Sequence, residues 1–193
     1  MTLDARQVKY TPGGDRTRAI VARLDRPVVL VGMMGVGKST IGRRLASLMG
    51  LPFFDADDEI EAAANMPIAD IFDQFGEAYF RDGERRVISR LLDEGVRVIA
   101  TGGGAFVQPE TRALILEKGL PVWLDSETKT LVERVTRNDR RPLLRGDRPG
   151  EIVARIKAER EPAYSQAPIK VMSDTGPHDA AVQRIMETID AWL

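Results

Sequence analysis

Short apolar runs alternate with amphipathic segments along the chain from residue 27 onward. Most of the runs are apolar throughout and end at Gly or Asp, which is typical of parallel strands covered on both faces, and the segments between them have helical spacing. This alternation predicts a doubly wound α/β domain with a central parallel sheet of about five strands flanked by helices. The predicted strands are Val28–Val31, Pro52–Phe54, Arg97–Ala100, Pro121–Leu124 and Ile169–Met172.

The expected domain limits follow from the predicted helices and from the pattern of residues 1–26. The predicted helices are Lys38–Met49, a stretch that begins near Pro67, about Glu77–Asp93 and about His178–Leu193. Residues 1–26 show no sustained apolar period, although Arg16–Leu24 has the spacing of one short helix. We therefore expect a flexible N-terminal extension over residues 1–26 and a single domain over residues 27–193.

Composition narrows the classes of function. Lys and Arg number 28 against 29 Asp and Glu, a net charge of -1 that gives no general attraction to nucleic acid or to a membrane surface, and we expect neither as a partner. The absence of cysteine and the single histidine, His178, argue against disulfides, thiol catalysis and a zinc site. No segment has the pattern of a signal peptide or a membrane span. We expect a cytoplasmic monomer.

A phosphate-binding motif lies between the first predicted strand and the first predicted helix. Gly32-Met33-Met34-Gly35-Val36-Gly37-Lys38-Ser39 matches G-x-x-x-x-G-K-[ST], the P-loop of nucleotide-binding proteins, and predicts a P-loop NTPase fold that binds ATP. A glycine-rich turn that merely contains a lysine would not require this position between strand and helix. The residues predicted to bind the nucleotide are Gly35, Val36, Gly37, Lys38, Ser39 and Thr40. Without an Asn-Lys-x-Asp motif, and at this length, a small-molecule kinase is favoured over a GTPase or motor.

Two carboxylates follow the second predicted strand. Asp55 and Asp57 are two residues apart, so in extended backbone they project to the same side at the carboxyl end of the sheet, where doubly wound folds bind ligands. Ser39 and Asp55 are the predicted holders of Mg²⁺, and Asp57 is predicted to accept a hydrogen bond or a proton from a substrate hydroxyl. For Asp58 the favoured interpretation is a helix cap.

A second glycine-rich turn and an arginine cluster complete the candidate chemistry. Gly102-Gly103-Gly104 directly follows the third strand, and three glycines in a row favour close approach of the backbone to a ligand over a plain turn. Six arginines lie at positions 134, 137, 140, 141, 145 and 148, interrupted by Pro and Gly. We interpret residues 136–148 as a mobile lid over ATP. A solvated basic surface and an RNA-binding patch are the alternatives, and the absence of aromatic residues there disfavours the second.

Together these features resemble the shikimate kinase family from about residue 27 to the C-terminus. The segments that carry the resemblance are Gly32–Thr40, Phe54-Asp55-Ala56-Asp57, Phe80-Arg81 with Glu84, Gly102-Gly103-Gly104, and Arg141-Pro142-Leu143-Leu144. The family phosphorylates the 3-hydroxyl of shikimate with MgATP, in the biosynthesis of aromatic amino acids, so the resemblance implies this reaction. Residues 1–26 have no counterpart in the family pattern.

The resemblance also implies individual roles. Lys38, Asp57 and Arg141 would serve catalysis, with Arg141 reaching the transferring phosphoryl group from the lid. Arg134 would pack near adenine, and Glu84 would orient a substrate-binding arginine. The residues that would hold shikimate are Asp57, Arg81, Gly103, Gly104 and Arg160. A small acid with several hydroxyls does require arginines for its carboxylate and a carboxylate for its reacting hydroxyl.

Two alternatives stay open at the level of sequence. One is a different small-molecule kinase of the same build, such as a gluconate or nucleoside monophosphate kinase, which the Asp pair and the triple glycine disfavour. The other is a nucleotide-binding regulatory module without turnover, which the joint presence of Lys38, Ser39, Asp55, Asp57 and Arg141 disfavours.

Overall fold

The structure, a computed structural model, describes residues 14–136, 149–173 and 178–193. Its strands are β1 (Val28–Val31), β2 (Phe53–Asp55), β3 (Val98–Ala100), β4 (Leu120–Asp125) and β5 (Ile169–Met172). They pair in parallel in the order β2-β3-β1-β4-β5. The predicted five-stranded parallel sheet is therefore confirmed, and each strand end lies within one residue of its predicted position.

Helices lie between the strands and at both ends of the described chain. They are α1 (Asp15–Arg23), α2 (Lys38–Met49), α3 (Ala56–Ala64), α4 (Ile68–Asp93), α5 (Pro109–Lys118), α6 (Thr128–Thr136), α7 (Pro149–Tyr164) and α8 (His178–Trp192), with a 3-10 turn at Ala105–Val107. The helical stretch predicted to begin near Pro67 and the helix predicted at about Glu77–Asp93 are continuous as α4, with a break at Gly76, where φ is 79° and ψ is 175°. The sequence patterns had not predicted α5, α6 or α7.

The core lies on both faces of the sheet. All four residues of β1 have no solvent exposure, as expected for the central strand of a sheet covered on both sides. Helices α1, α2 and α8 contact one another, while α4, α5 and α7 form a second group joined through the 3-10 turn. A smaller apolar cluster of Ile60, Ile71 and Phe80 holds α3 against α4.

Helix α1 belongs to the packed domain, which corrects the predicted domain boundary at residue 26. Ile20 is 2% exposed and Leu24 is 7% exposed, and both lie in the main core. On the outer face, Arg16 and Arg23 both form ion pairs with Asp190 of α8. The short helix foreseen at 16–24 is present, but it is not a flexible extension. Residues 1–13 lie outside the described range.

The parallel strands direct their carboxyl ends to one edge of the sheet. There β1 leads into the P-loop, β2 ends at Asp55, and β3 leads into the triple glycine. The pairing register places Leu30 and Asp55 each beside Ala100, so the three strands end at a common level. The predicted lid lies outside the described residues except for Thr136 at the end of α6. None of the helices in the described ranges has the length and apolar character of a bilayer-spanning segment.

Candidate active site

The P-loop is pressed against β4 where it leaves β1. Gly32 has a φ of +137°, a conformation that side-chain-bearing residues rarely adopt, and a Cβ there would overlap the carbonyl oxygen of Leu124. Glycine is therefore required by both conformation and space. The loop ends at Gly37, which precedes the first residue of α2, so the N-terminus of α2 faces the loop and contributes its partial positive charge.

Lys38 points back into the loop that precedes it. Its Nζ donates to the carbonyl oxygens of Gly32 at 2.7 Å and Met33 at 2.9 Å, and the side chain is 9% exposed. These two bonds hold the ammonium group against the backbone of the loop. That arrangement suits the β- and γ-phosphates of a nucleotide.

Ser39 and Asp55 lie side by side although sixteen residues separate them. The Ser39 hydroxyl donates to Asp55 Oδ2 at 2.5 Å, and Asp55 Oδ1 accepts a hydrogen bond from the backbone N–H of Asp57 at 3.2 Å. Asp55 thus caps α3 while offering oxygen to the P-loop. The described residues contain no cluster of three or more His, Cys, Asp or Glu side chains suited to a metal. A hydroxyl with one carboxylate still fits Mg²⁺, which takes few protein ligands and completes its shell with phosphate oxygens and water.

Two carboxylates face the first glycine of the triple turn. A Cβ at Gly102 would lie 2.8 Å from Asp57 Oδ1 and 3.1 Å from Glu84 Oε1, so both acids contact this backbone. Burial and then the Asp55 charge raise the pKa of Asp57 above the ordinary value for aspartate, and Lys38 opposes this shift. Burial likewise raises the pKa of Glu84, against a hydrogen bond from Arg81. A raised pKa makes Asp57 a stronger base than an exposed aspartate.

Arg81 lies against the last glycine of the turn. Its Nη1 donates to Glu84 Oε2 at 2.7 Å, and Glu84 is 1% exposed. A Cβ at Gly104 would stand 2.6 Å from Arg81 Nη2, so a side chain there would displace the guanidinium. Glu77 accepts a further, longer hydrogen bond from Arg81, at 3.3 Å. The hydrogen bond between Arg81 and Glu84 is the geometric basis for the orienting role predicted for Glu84.

Arg160, on α7, reaches the middle glycine of the turn. Its Nη1 donates to the Gly103 carbonyl oxygen at 3.0 Å, and the Tyr164 hydroxyl donates to the same oxygen. The sequence patterns had assigned no role to Tyr164. Its spacing of four residues from Arg160, one helical turn, was the signal that places both side chains on one face.

Of the remaining predicted nucleotide contacts, Arg134 lies beside the P-loop. Arg134 Nη1 is 3.3 Å from the Val36 carbonyl oxygen and 3.4 Å from that of Ser173, so α6 and the end of β5 meet beside the loop. Thr40 is exposed on the first turn of α2. Arg141 lies outside the described residues, and its role stays a prediction.

The family model and the curated relatives agree on one family. A family model described as shikimate kinase matches residues 34–190. The shikimate kinase of Novosphingobium aromaticivorans is 60% identical over 175 residues, covering 89% of this chain and 91% of that protein. The chain belongs to the shikimate kinase family. A second relative in this family, from Rhodopseudomonas palustris, is 54% identical over 175 residues, 90% of this chain and 86% of that protein.

The solved structures of shikimate kinases have the same fold. The enzyme from Acinetobacter baumannii in complex with shikimate superposes with a TM-score of 0.81 at 34% identity, covering 86% of this chain and 93% of that one. The resemblance read from the motifs is thus confirmed at the level of family and fold. Membership in the shikimate kinase family also sets aside the alternative of a gluconate or nucleoside monophosphate kinase.

Proposed function

We propose that this chain transfers the γ-phosphoryl group of ATP to the 3-hydroxyl of shikimate, giving ADP and shikimate 3-phosphate. One observation carries the proposal: three groups suited to a hydroxylated acid meet around a single glycine turn beside the P-loop. The Asp57 carboxylate lies next to Gly102, and the Arg81 guanidinium lies next to Gly104. Arg160 bonds to the glycine between them. The family match supports the choice of acid.

The nucleotide side of the site would be formed by the P-loop and its neighbours. Backbone N–H groups of Gly35, Val36 and Gly37, with the side chains of Ser39 and Thr40, would surround the phosphates of ATP, and Lys38 would contact the β and γ groups. Ser39 and Asp55 would hold Mg²⁺, which when bound neutralises phosphate charge. Arg134 would line the adenine side, and Arg141 would come from residues 136–148 to the transferring group.

The acceptor side would be formed by residues from three elements. Arg81 of α4 and Arg160 of α7 both lie against the glycine turn and would bind the shikimate carboxylate through charge-assisted hydrogen bonds. The backbone of Gly103 and Gly104 would contact the ring substituents. Asp57, which faces both Gly102 and the P-loop, would accept a hydrogen bond from the 3-hydroxyl.

The chemical step is an in-line displacement. The 3-hydroxyl oxygen forms a bond to the γ-phosphorus, the bond from that phosphorus to the β,γ-bridging oxygen breaks, and ADP leaves with the electron pair. Asp57 takes up the hydroxyl proton, which its raised pKa favours. Most of the acceleration would come from positioning and from the positive charge of Lys38 near the phosphates.

A substrate panel tests the proposal. With ATP and Mg²⁺, release of ADP is measured with shikimate, with shikimate carboxamide, and with gluconate and a nucleoside monophosphate as control acceptors. We expect turnover with shikimate and none with the controls. The carboxamide has the same shape but no charge, so its KM should be about 100-fold higher, because the two arginines lose their ionic partner.

Two results would contradict this assignment. Equal KM values for the acid and the amide would show that Arg81 and Arg160 do not bind the carboxylate of the acceptor. Tight ADP binding without turnover on any acceptor would instead favour the alternative of a regulatory module.

A further inference from the structure

The phenol of Tyr164 is buried in the wall behind the candidate acceptor site. Tyr164 is the last residue of α7 and is 1% exposed. Its ring stacks on Trp123 of β4, with ring centroids 6.0 Å apart and an angle of 25° between the planes. Sheet packing therefore fixes the ring, and its hydroxyl reaches the Gly103 carbonyl oxygen.

That carbonyl oxygen accepts from two donors, since Arg160 Nη1 lies 3.0 Å from it. Both donors come from α7, so the Gly103 carbonyl points toward α7. The peptide bond to Gly104 is trans, and in a trans peptide the N–H points opposite to the carbonyl. The Gly104 N–H is therefore directed away from α7.

Binding of the acceptor would change the hydrogen bonds that these two donors make. If Arg160 bonds to a substrate carboxylate, its guanidinium reorients or shares its donors, and its hold on Gly103 weakens. The Tyr164 hydroxyl, which Arg160 also contacts, is uncharged, so a substrate carboxylate attracts it less strongly than it attracts the guanidinium. Glycine offers little resistance to a peptide flip, so without a second donor the Gly103–Gly104 peptide would be free to turn.

We propose that Tyr164 is a positioning residue for the acceptor: its hydroxyl fixes the Gly103–Gly104 peptide so that the Gly104 N–H faces the substrate while Arg160 binds the carboxylate. This inference rests on the proposed shikimate site. Burial raises the pKa of the Tyr164 phenol, so the hydroxyl keeps its proton and remains a donor well above neutral pH.

Removal of the hydroxyl alone is the direct test. Tyr164→Phe retains the ring stacked on Trp123, and Tyr79→Phe, at an exposed tyrosine of α4, is the matched control. We expect Tyr164→Phe to raise the KM for shikimate about five- to tenfold, the effect of one lost hydrogen bond. The KM for ATP and kcat should each change less than about twofold, and the control should change none of the three.

The shared acceptor predicts coupling between the two donors. Arg160→Gln and Tyr164→Phe should affect the shikimate KM non-additively, because both act on the orientation of one peptide. Additive effects would overturn the inference, as would a Tyr164→Phe protein with a lower melting temperature and an unchanged shikimate KM, which marks a purely structural role. If Arg160→Gln itself leaves the shikimate KM unchanged, it is the proposed acceptor site that fails.

A measurement on the unaltered chain keeps the inference testable if the variant does not fold. Amide NMR should show the Gly104 resonance shifting, and its hydrogen exchange slowing, when shikimate is added. The amide of Gly95, in a turn outside the candidate site with φ of 92°, serves as the internal reference. A Gly104 signal that responds no more than that of Gly95 would overturn the inference.

Discussion

At the scale of single residues, three neighbouring acids have three different environments. Asp55 is tied to Ser39 and to the start of α3, and Asp57 faces the glycine turn. Asp58, the next residue, is exposed and lies 3.7 Å from Arg43 at the surface. Successive residues at the start of a helix point in different directions, so adjacent aspartates have separate environments.

The pair Asp57 and Asp58 therefore offers a matched test. Asp57→Asn preserves size but removes the base and presents a donor to the substrate hydroxyl, so kcat should fall about 100-fold or more. Asp58→Asn should change kcat less than about twofold. Initial rates at saturating ATP and shikimate measure both. If the two variants kept similar activity, Asp57 would be no more than a helix-capping residue.

At the scale of elements, one carboxylate joins β4, β5 and α7. Asp125 at the end of β4 lies 2.9 Å from Lys157 Nζ of α7 and 3.0 Å from Lys170 Nζ of β5. Lys157 also donates to the Ser126 carbonyl oxygen at 2.7 Å. Burial by itself would raise the pKa of Asp125, but the hydrogen bonds from the two lysines outweigh it and hold that pKa below the ordinary value.

This depressed pKa predicts a pH dependence of stability. A carboxyl group with a lower pKa in the folded state stabilises the fold above its unfolded pKa, near 4, and the contribution disappears as pH falls through the folded value. Asp125→Asn should lower the free energy of unfolding by about 2 kcal/mol at pH 7, with a smaller difference from the unaltered chain at pH 3. Urea unfolding at both pH values measures this.

Asp93 supplies the control for the element-scale prediction. It forms an ion pair with Lys118 at 2.8 Å, and both side chains are exposed. Because solvent screens such a pair, Asp93→Asn should change the free energy of unfolding by less than about 0.5 kcal/mol. A loss as small as this in Asp125→Asn would mean that the Asp125 cluster does not stabilise the junction of β4, β5 and α7.

At the scale of the whole molecule, α1 packs against α8, so segments near the two ends of the described chain are in contact. The helix nearest the N-terminus packs its apolar face on the core, and its arginines reach Asp190 near the C-terminus. The domain therefore includes a segment that precedes the family match, which begins at residue 34. Stability of the fold should depend on this segment even though the proposed chemistry does not use it.

Ile20 gives the test of this closure. Ile20→Ala removes a side chain that is 2% exposed and should lower the free energy of unfolding by about 3 kcal/mol while kcat stays within about twofold. Arg18→Ala, on the exposed face of the same helix, should cost less than about 0.5 kcal/mol. Urea unfolding curves for both variants measure these changes in the free energy of unfolding. A negligible loss for Ile20→Ala would restore the picture of a loosely attached extension.

Much of this protein follows from sequence alone, because local patterns encode it. Apolar runs of strand length identify buried parallel strands, and the glycines and lysine of the P-loop have a spacing that phosphate binding imposes. The family and the set of candidate residues followed from the order of those motifs. The helices α5, α6 and α7 were not recognised, since α5 and α7 in particular contain polar and charged residues on much of their length.

Tertiary structure alone decided which distant residues share a partner. No local pattern shows that Arg81 and Arg160, 79 positions apart, meet at one glycine turn, or that Tyr164 and Arg160 bond to the same carbonyl. Nor does composition show that α1 is packed, because a short helix with one buried face differs little from a loose one in sequence. Contacts between elements depend on how the sheet and its helices are arranged in space, and only the folded chain brings these residues together.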